Sequence, residues 1–574
     1  MNNPEQEITF KGLLFPFTAK KAIVIIFVIG LVVFFNAIFN GFVLDDNPQI
    51  IRNPNINSIA AIPHLFINQE GGQETMNYYR PLPFVFYALA NSISYQNPIV
   101  YHLIHLFFYI ANAILVFLIL RKFLNLKLAF FLSLFFLVHP INEEAAAYVA
   151  NLQDVLFLFF GLISLLLLWK DSKKISYLFL ANISLLLSIF SKETGIVFFI
   201  IAFIYVYLFK KNKLVIHSIL SLLAGLVYLI LRIASHTPLQ KSAILPIMQL
   251  SFWQRMTNVP AIILYYIQTF LFPKDLVAYH SWIIKTVSLD TFFLPLFIDI
   301  IFLSIIIFLC TTVIKKTKKN TKLIIFFLIW FLLGIIVHSQ IILLDSTVAD
   351  RFFYFPLVGL LALGGLFLQS IKLNKKVTII LMASGILILI LFSVRTIIRN
   401  ADWQNQSVLL THDEKIVSND YLLELLYGND LIKNGKDMNA IFHIEKAIAL
   451  YTQSSRAWTS LGSLYYSEGK IAPAKKAYLH SISLEKDYFA TYENLGLLLK
   501  DHDSPTTARD FLRQATMKFP NSWKLWYYRF IIEYKLGNYS EALLSAKNYF
   551  LLQKDAQSYN IYLYLLQKRP IRIE

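Results

Sequence analysis

Asp45 and Asp46 stand side by side in "FNGFVLDDNPQIIRNPNI", where the first long apolar run of the chain gives way to polar sequence. Ionisable residues recur where later apolar runs end: Arg80 in "NYYRPLP", His139, Glu143, Glu144 and Asp154 in "VHPINEEAAAYVANLQD", Lys192 and Glu193 in "SKETG", and Asp345, Asp350, Arg351 and Tyr354 in "LLDSTVADRFFYFP". Charge at a membrane edge is costly to keep and marks function when several segments share it. An acid pair beside cations suits transfer from a lipid-linked phosphate. One carboxylate takes the proton from an incoming hydroxyl. A guanidinium, Arg351 or Arg80, neutralises the departing phosphate and binds it bidentately. A base on the far side of the reacting carbon from the leaving group gives in-line displacement with inversion. Glu143, Glu144, Asp350, Tyr354, Lys192, Glu193 and Asp154 would then shape a sugar and acceptor shell. Spacing alone does not choose between Asp45 and Asp46. Asp-Asp-Asn-Pro is also good turn chemistry, Lys192 and Glu193 can pair with each other, and His139 reads as a helix-end residue. Asp154, one turn into an apolar run, needs a partner there and reads as support for the site. No His/Asp spacing specifies a metal, so no cofactor and no obligatory divalent ion is expected.

The elements that must carry these residues are membrane helices. The chain has 574 residues, 57% of them hydrophobic and only 15% charged, against about 25% charge in soluble domains. Apolar runs of about 20 residues, the length that crosses ~30 Å of hydrocarbon, fall near 21–40, 100–120, 128–147, 151–169, 176–190, 195–209, 214–233, 293–314, 322–343, 353–370 and 377–397. That predicts about eleven spans, to within about two, with 82–96 and 259–272 apolar but short and read as interfacial or re-entrant. The first run follows Lys20 and Lys21, lacks a small-residue cleavage site and reads as an uncleaved anchor. A net charge of +17 would fit nucleic acid, but its placement excludes that reading: segments 1–21, 121–127, 170–174, 210–213, 315–322 and 372–376 hold 20 Lys and Arg and three acids, and the rest sums to zero. The surplus sits at alternate ends of the runs, as the positive-inside rule requires. The N-terminus is therefore expected in the cytoplasm, and the motifs, the long loop 41–99 and the C-terminal region outside it. The single cysteine, Cys310, lies in an apolar run and permits no intrachain disulfide.

After Arg399 the sequence turns polar and repeats every 34 residues: Trp458, Leu461, Gly462, Tyr465, Gly469, Ala474 and Tyr478 recur as Tyr492, Leu495, Gly496, Leu499, Ala508 and Leu512, and again as Trp526, Gly537, Ala542 and Ala546. This is the tetratricopeptide pattern, helical hairpins stacked into a solenoid. The fold class is therefore all-α. A transmembrane helix bundle over 1–399 is followed by a connector over 400–420, repeats over 421–454, 455–488, 489–522 and 523–556, and a capping helix to 574. Most of the repeat aromatics are core; the concave groove would hold an acceptor protein.

These motifs, in order along nearly the whole chain with "LFPKDLVAYHSW" at 271–282 and Trp403 just before the repeats, resemble the GT-C membrane glycosyltransferases. The resemblance is closest to the transmembrane and tetratricopeptide-repeat O-mannosyltransferase group and its bacterial relatives. It implies a polyprenyl-phosphate sugar donor, mannose-like, an exported or membrane protein acceptor bearing Ser/Thr hydroxyls, a base at Asp45 or Asp46 and a phosphate contact at Arg351. It also implies a multi-pass protein of a bacterial plasma membrane. The group's "HPIHTEAV" is here "HPINEEAA", with Asn142 for the second histidine and Glu144 as an added acid, which leaves the roles of Glu143 and Glu144 open. Two other functions fit less well. A ligase or polymerase of lipid-linked oligosaccharide would carry its arginines in a large late loop, and 344–352 is short. A repeat scaffold without activity would leave the acids incidental.

Overall fold

The computed structural model describes residues 16–67, 78–170, 174–237, 245–344, 346–569 and 571. Asp345 lies outside the described residues. All regular elements among them are helical; one isolated antiparallel bridge, His280 with Val348, is the exception. The chain divides into two compact units, the second running from Ser418 to Glu574.

In the first unit every one of the eleven apolar runs is helical. Among the described residues seven helices are long and apolar enough to cross a membrane: Pro98–Leu120, Val149–Trp169, Lys211–Ala234, Leu289–Lys316, Lys318–Val337, Asp350–Ser370 and Lys375–Asp402. Lys375–Asp402 is apolar yet almost wholly exposed, which is stable only if lipid covers it. This is a multi-pass membrane protein.

The other four runs fall short of an unbroken crossing, and the reasons are local. The run 128–147 is a pair, Leu126–Val138 and Pro140–Ala147, bent by 54°. Pro140 cannot continue the ladder and pushes the residue before it into extended backbone; His139 has ψ 125°. Ser176–Ser191 and Ile196–Phe209 are shorter apolar helices separated by the Lys192–Gly195 turn. Gly195 is needed there, because a Cβ would stand 2.5 Å from the Ser188 carbonyl oxygen. Ala19–Val33 has 15 residues, roughly 22 Å of helix, and continues as a tighter turn at Asn36–Phe39. The run expected at 322–343 stops at Val337; beyond it Gln340 adopts φ 63° and its wholly buried side chain holds the loop, donating to the Ser346 carbonyl and accepting from the Leu344 N–H. Pro81–Ser94 and Val259–Leu271 have 14 and 13 residues, too few to cross.

The stretch 400–420, read from sequence as a connector, contains the helix Gln406–Ile416. Its Asp413 is fully buried within the first unit, which therefore runs to Val417.

The second unit is a stack of helical hairpins, Tyr421–Lys433 with Asp437–Leu450, Ser455–Ser467 with Ile471–Leu484, Phe489–His502 with Pro505–Lys518, and Trp523–Lys535 with Tyr539–Gln553, closed by Ala556–Leu566. The period comes from close packing: a Cβ on Gly462 would stand 2.6 Å from the Tyr478 ring, so the large residue of one helix fixes the small one opposite.

Candidate functional site

The acid pair sits on a strained turn. Leu44, just before it, is left-handed with φ 49°, a conformation that costs about 1–3 kcal/mol and collects at functional sites. Asp46 closes the turn reciprocally: its N–H donates to the Val43 carbonyl (2.9 Å) and its Oδ2 accepts from the Val43 N–H (2.9 Å). Its Oδ1 accepts from the Ala150 N–H at 2.7 Å. Asp46 is 1% exposed; burial pushes its carboxyl well above the usual carboxylate range, against the pull of the two N–H groups. Asp45 is half-buried, and its own N–H donates to the Tyr148 hydroxyl at 2.8 Å.

The bend at Pro140 delivers Glu143 and Glu144. The Ile141 N–H donates to His139 Nδ1 (3.1 Å), so Nε2 carries the ring proton and donates to the Phe270 carbonyl (3.0 Å). His139 is thus a helix-end cap. Glu144 takes Arg351 twice: Oε2 accepts its backbone N–H at 3.0 Å, and Oε1 accepts from Nη1. Glu143 faces the other way. Its Oε2 accepts from Trp403 Nε1 at 3.0 Å and lies 3.8 Å from Arg399 Nε. The indole of Trp403 in turn stacks on Tyr148 at 5.2 Å.

Two more ion pairs flank Arg351. Lys192 pairs with Asp154 at 2.5 Å, and Arg80 with Glu193 at 2.7 Å; Lys192 and Glu193 do not pair with each other. Arg80 also donates to Gln153 Oε1 (2.8 Å) and lies 4.0 Å from the Tyr78 ring centre. Lys192 is held below the ordinary lysine range by burial and by both arginines, Arg80 and Arg351, against the attraction of Asp154. Arg80, Lys192 and Arg351, from three separate motifs, therefore form one cationic cluster matched by three carboxylates.

Behind this surface lies a scaffold. Asp350 Oδ1 accepts the Tyr265 O–H at 2.5 Å, and the Tyr265 oxygen accepts from His280 Nε2 at 3.0 Å. The Tyr354 hydroxyl accepts from Asn112 Nδ2 at 3.0 Å, with its ring stacked on Tyr109 and Phe136. Glu143, Glu144, Asp154, Asp350 and Tyr354, read from sequence as a sugar and acceptor shell, are each at least nine-tenths buried. They build the wall of the site by holding other side chains. The half-buried groups at its surface are Asp45, Arg351 and Arg80, with Glu193 more open at 30% exposure.

Sequence reasoning missed a second buried cluster. Arg399 Nη1 donates to Asp413 Oδ1 (3.0 Å), and Asp413 Oδ2 accepts the Ala278 N–H (2.8 Å). Burial raises the Asp413 carboxyl, but Arg399, His412 and the Ala278 N–H outweigh it and hold it below the carboxylate range. The loop after Ala278 brings Tyr279 into the electrostatic neighbourhood of Asp45, Arg351 and Glu144, with Tyr148 also near it. The signal was present in part: "LVAYHSW" is an aromatic, polar stretch between two short apolar helices.

The chain is similar over most of its length to human protein O-mannosyl-transferases. It is 25% identical to TMTC1 over 480 residues, covering 74% of this chain, and 24% identical to TMTC3 over 551 residues, covering 85%. It spans only 54% and 59% of the length of those relatives. Both bear the name of the group that the sequence motifs resemble. Among solved structures, ArnT from Cupriavidus metallidurans bound to undecaprenyl phosphate aligns with 87% of this chain and 80% of its own at 14% identity, with a TM-score of 0.37, too low to argue from. No protein-family model matches the chain.

Proposed function

We propose that this protein is an inverting glycosyltransferase. It takes a mannose-like sugar from a polyprenyl-phosphate carrier and places it on a Ser or Thr hydroxyl of an exported protein, at the extracytoplasmic face. The observation that carries this reading is a shared anchor. Glu144 grips Arg351, and Tyr148 binds the Asp45 N–H; Tyr148, four positions after Glu144, caps the same short helix, roughly 6 Å of rise further on. Ala150, two residues on, binds Asp46. One short stretch thus anchors both the acid and the guanidinium.

In the reaction, the acceptor oxygen attacks the anomeric carbon as the carbon–oxygen bond to phosphate breaks. The acceptor proton goes to Asp45, and the polyprenyl phosphate leaves toward Arg351, supported by Arg80 and Lys192. Asp45 is favoured over Asp46 as base because Asp46 already spends both oxygens on backbone N–H groups. Glu144 orients the Arg351 fork so that it need not reorganise during transfer. The names of the human relatives support the mannosyl and protein specificities, and the charge asymmetry of the sequence supports the sidedness.

The test is transfer by the purified full chain from polyprenyl-phosphate mannose to a Ser/Thr peptide, read by mass. Arg351→Lys keeps the charge and loses the fork; it should lower kcat on the order of a hundredfold. A wild-type chain that transfers nothing, or an Arg351→Lys variant that works at full rate, would overturn the assignment.

A further inference from the structure

The loop 277–282 is fastened on both sides of one residue. The Ala278 N–H donates to buried Asp413 at 2.8 Å. The His280 carbonyl accepts from the Thr347 N–H at 3.0 Å, and His280 bridges Val348. The His280 ring reaches Tyr265, which holds Asp350 beside Arg351. Between these two fixed points stands Tyr279, half-buried. Its electrostatic neighbours include Asp45, Arg351 and Glu144. Tyr148, whose hydroxyl accepts the Asp45 N–H, is another of its neighbours. A tyrosine so rigidly flanked, with part of its surface open, is built to present its ring and hydroxyl to something. Packing alone does not need both neighbours pinned by buried polar groups.

Resting on the function proposed above, we infer that Tyr279 contacts the transferred sugar, its hydroxyl bonding the sugar hydroxyl on the carbon next to the anomeric centre. The geometry leads there in two steps. The anomeric carbon must lie between the base and the arginine, because the bonds that form and break are aimed at those groups. Tyr279 has the groups on both sides of that interval as neighbours, and the sugar hydroxyl nearest the anomeric carbon is the one at C2. Bonds to that hydroxyl strengthen as the ring takes on oxocarbenium character and can supply several kcal/mol. Tyr279 is thus a specificity-determining residue that no charge pattern would reveal, and Asp413 is its positioning residue.

The experiment crosses the variant Tyr279→Phe with two donors, polyprenyl-phosphate mannose and its 2-deoxy analogue, at fixed Ser/Thr peptide. Losing one hydroxyl from either side should lower kcat/KM about tenfold or more. The two losses should not multiply: Tyr279→Phe should use both donors nearly equally. Because the ratio is taken within one preparation, an incompletely folded fraction cancels. Multiplying losses, or a Tyr279→Phe variant as fast as wild type with the mannose donor, would overturn the inference and leave the function standing. A wild-type chain that uses neither donor would overturn the function and this inference with it.

Discussion

Asp45 and Asp46 are the same side chain in adjacent positions, and only their surroundings divide the work between them. Asp46 is a clamp: fully buried, it ties Val43 and Ala150 together through both oxygens. An amide has one acceptor oxygen where the carboxylate has two, so Asp46→Asn leaves one N–H unpaired, at a cost of about 1–3 kcal/mol. It should lower Tm. Asp45→Asn keeps the backbone N–H that Tyr148 holds, so Tm should stay near wild type while transfer falls by at least about a hundredfold, the lower end for loss of a general base. Rates and melting curves on the same preparations decide this. An Asp46→Asn variant that keeps its Tm but loses transfer, beside an active Asp45→Asn, would move the base to Asp46. The pair itself was legible, because two acids at the mouth of an apolar run are conspicuous. Its division of labour was not, since the deciding groups, Tyr148 and Ala150, lie more than a hundred residues away. Separations of more than two hundred residues hid the partners of Glu144 at Arg351 and of Glu143 at Trp403, and 38 residues hid the partner of Asp154 at Lys192.

Elements were more legible where their cause is local. Apolar runs and a 34-residue period are written in neighbouring residues, and each run is helical in the structure. The break at His139–Pro140 follows from one residue, but the use made of it does not: the bend turns Glu143 toward the last apolar helix and Glu144 toward Arg351. The helix Gln406–Ile416 was invisible as a structural part because its anchor is a single acid in polar sequence. Asp413 joins three elements, through Arg399 on the last apolar helix, Ala278 in the Tyr279 loop and its own helix. Its folded pKa is depressed, so its stabilisation is present above the unfolded value of about 3.9 and is lost as pH falls through the lower folded value. Asp413→Asn cannot titrate and leaves Arg399 short of one buried partner, at a cost of about 3 kcal/mol. The Tm gap between wild type and Asp413→Asn should therefore stay constant from pH 7 down to about 4, and close only below that. A gap that closes between about pH 7 and 5 would show that some other group carries the difference.

For the whole molecule, the two units invite a division between chemistry and choice of acceptor. All the groups proposed to touch donor and sugar lie in the first unit, which ends at Val417. The second has its own cores, one of them around Tyr478, Leu495, Leu512 and Leu525, and repeat stacks of this kind offer extended concave surfaces. If the repeats present the acceptor protein, a chain ending at Val417 should still transfer sugar to a short Ser/Thr peptide. Transfer to an exported protein should fall at least about tenfold relative to the peptide, the scale of gain that a second, tethered binding site brings. The position of the cut matters. Ending the chain at Leu410 removes Asp413, strips Arg399 of a buried carboxylate and releases Ala278, so this shorter chain should lose transfer to peptide and protein alike. Three rates with each acceptor, for the full chain and the two truncations, measure this directly. Equal loss of peptide and protein transfer on cutting at Val417 would assign the repeats to something other than acceptor capture, because a tethered binding site has no reason to alter the turnover of a peptide too short to reach it.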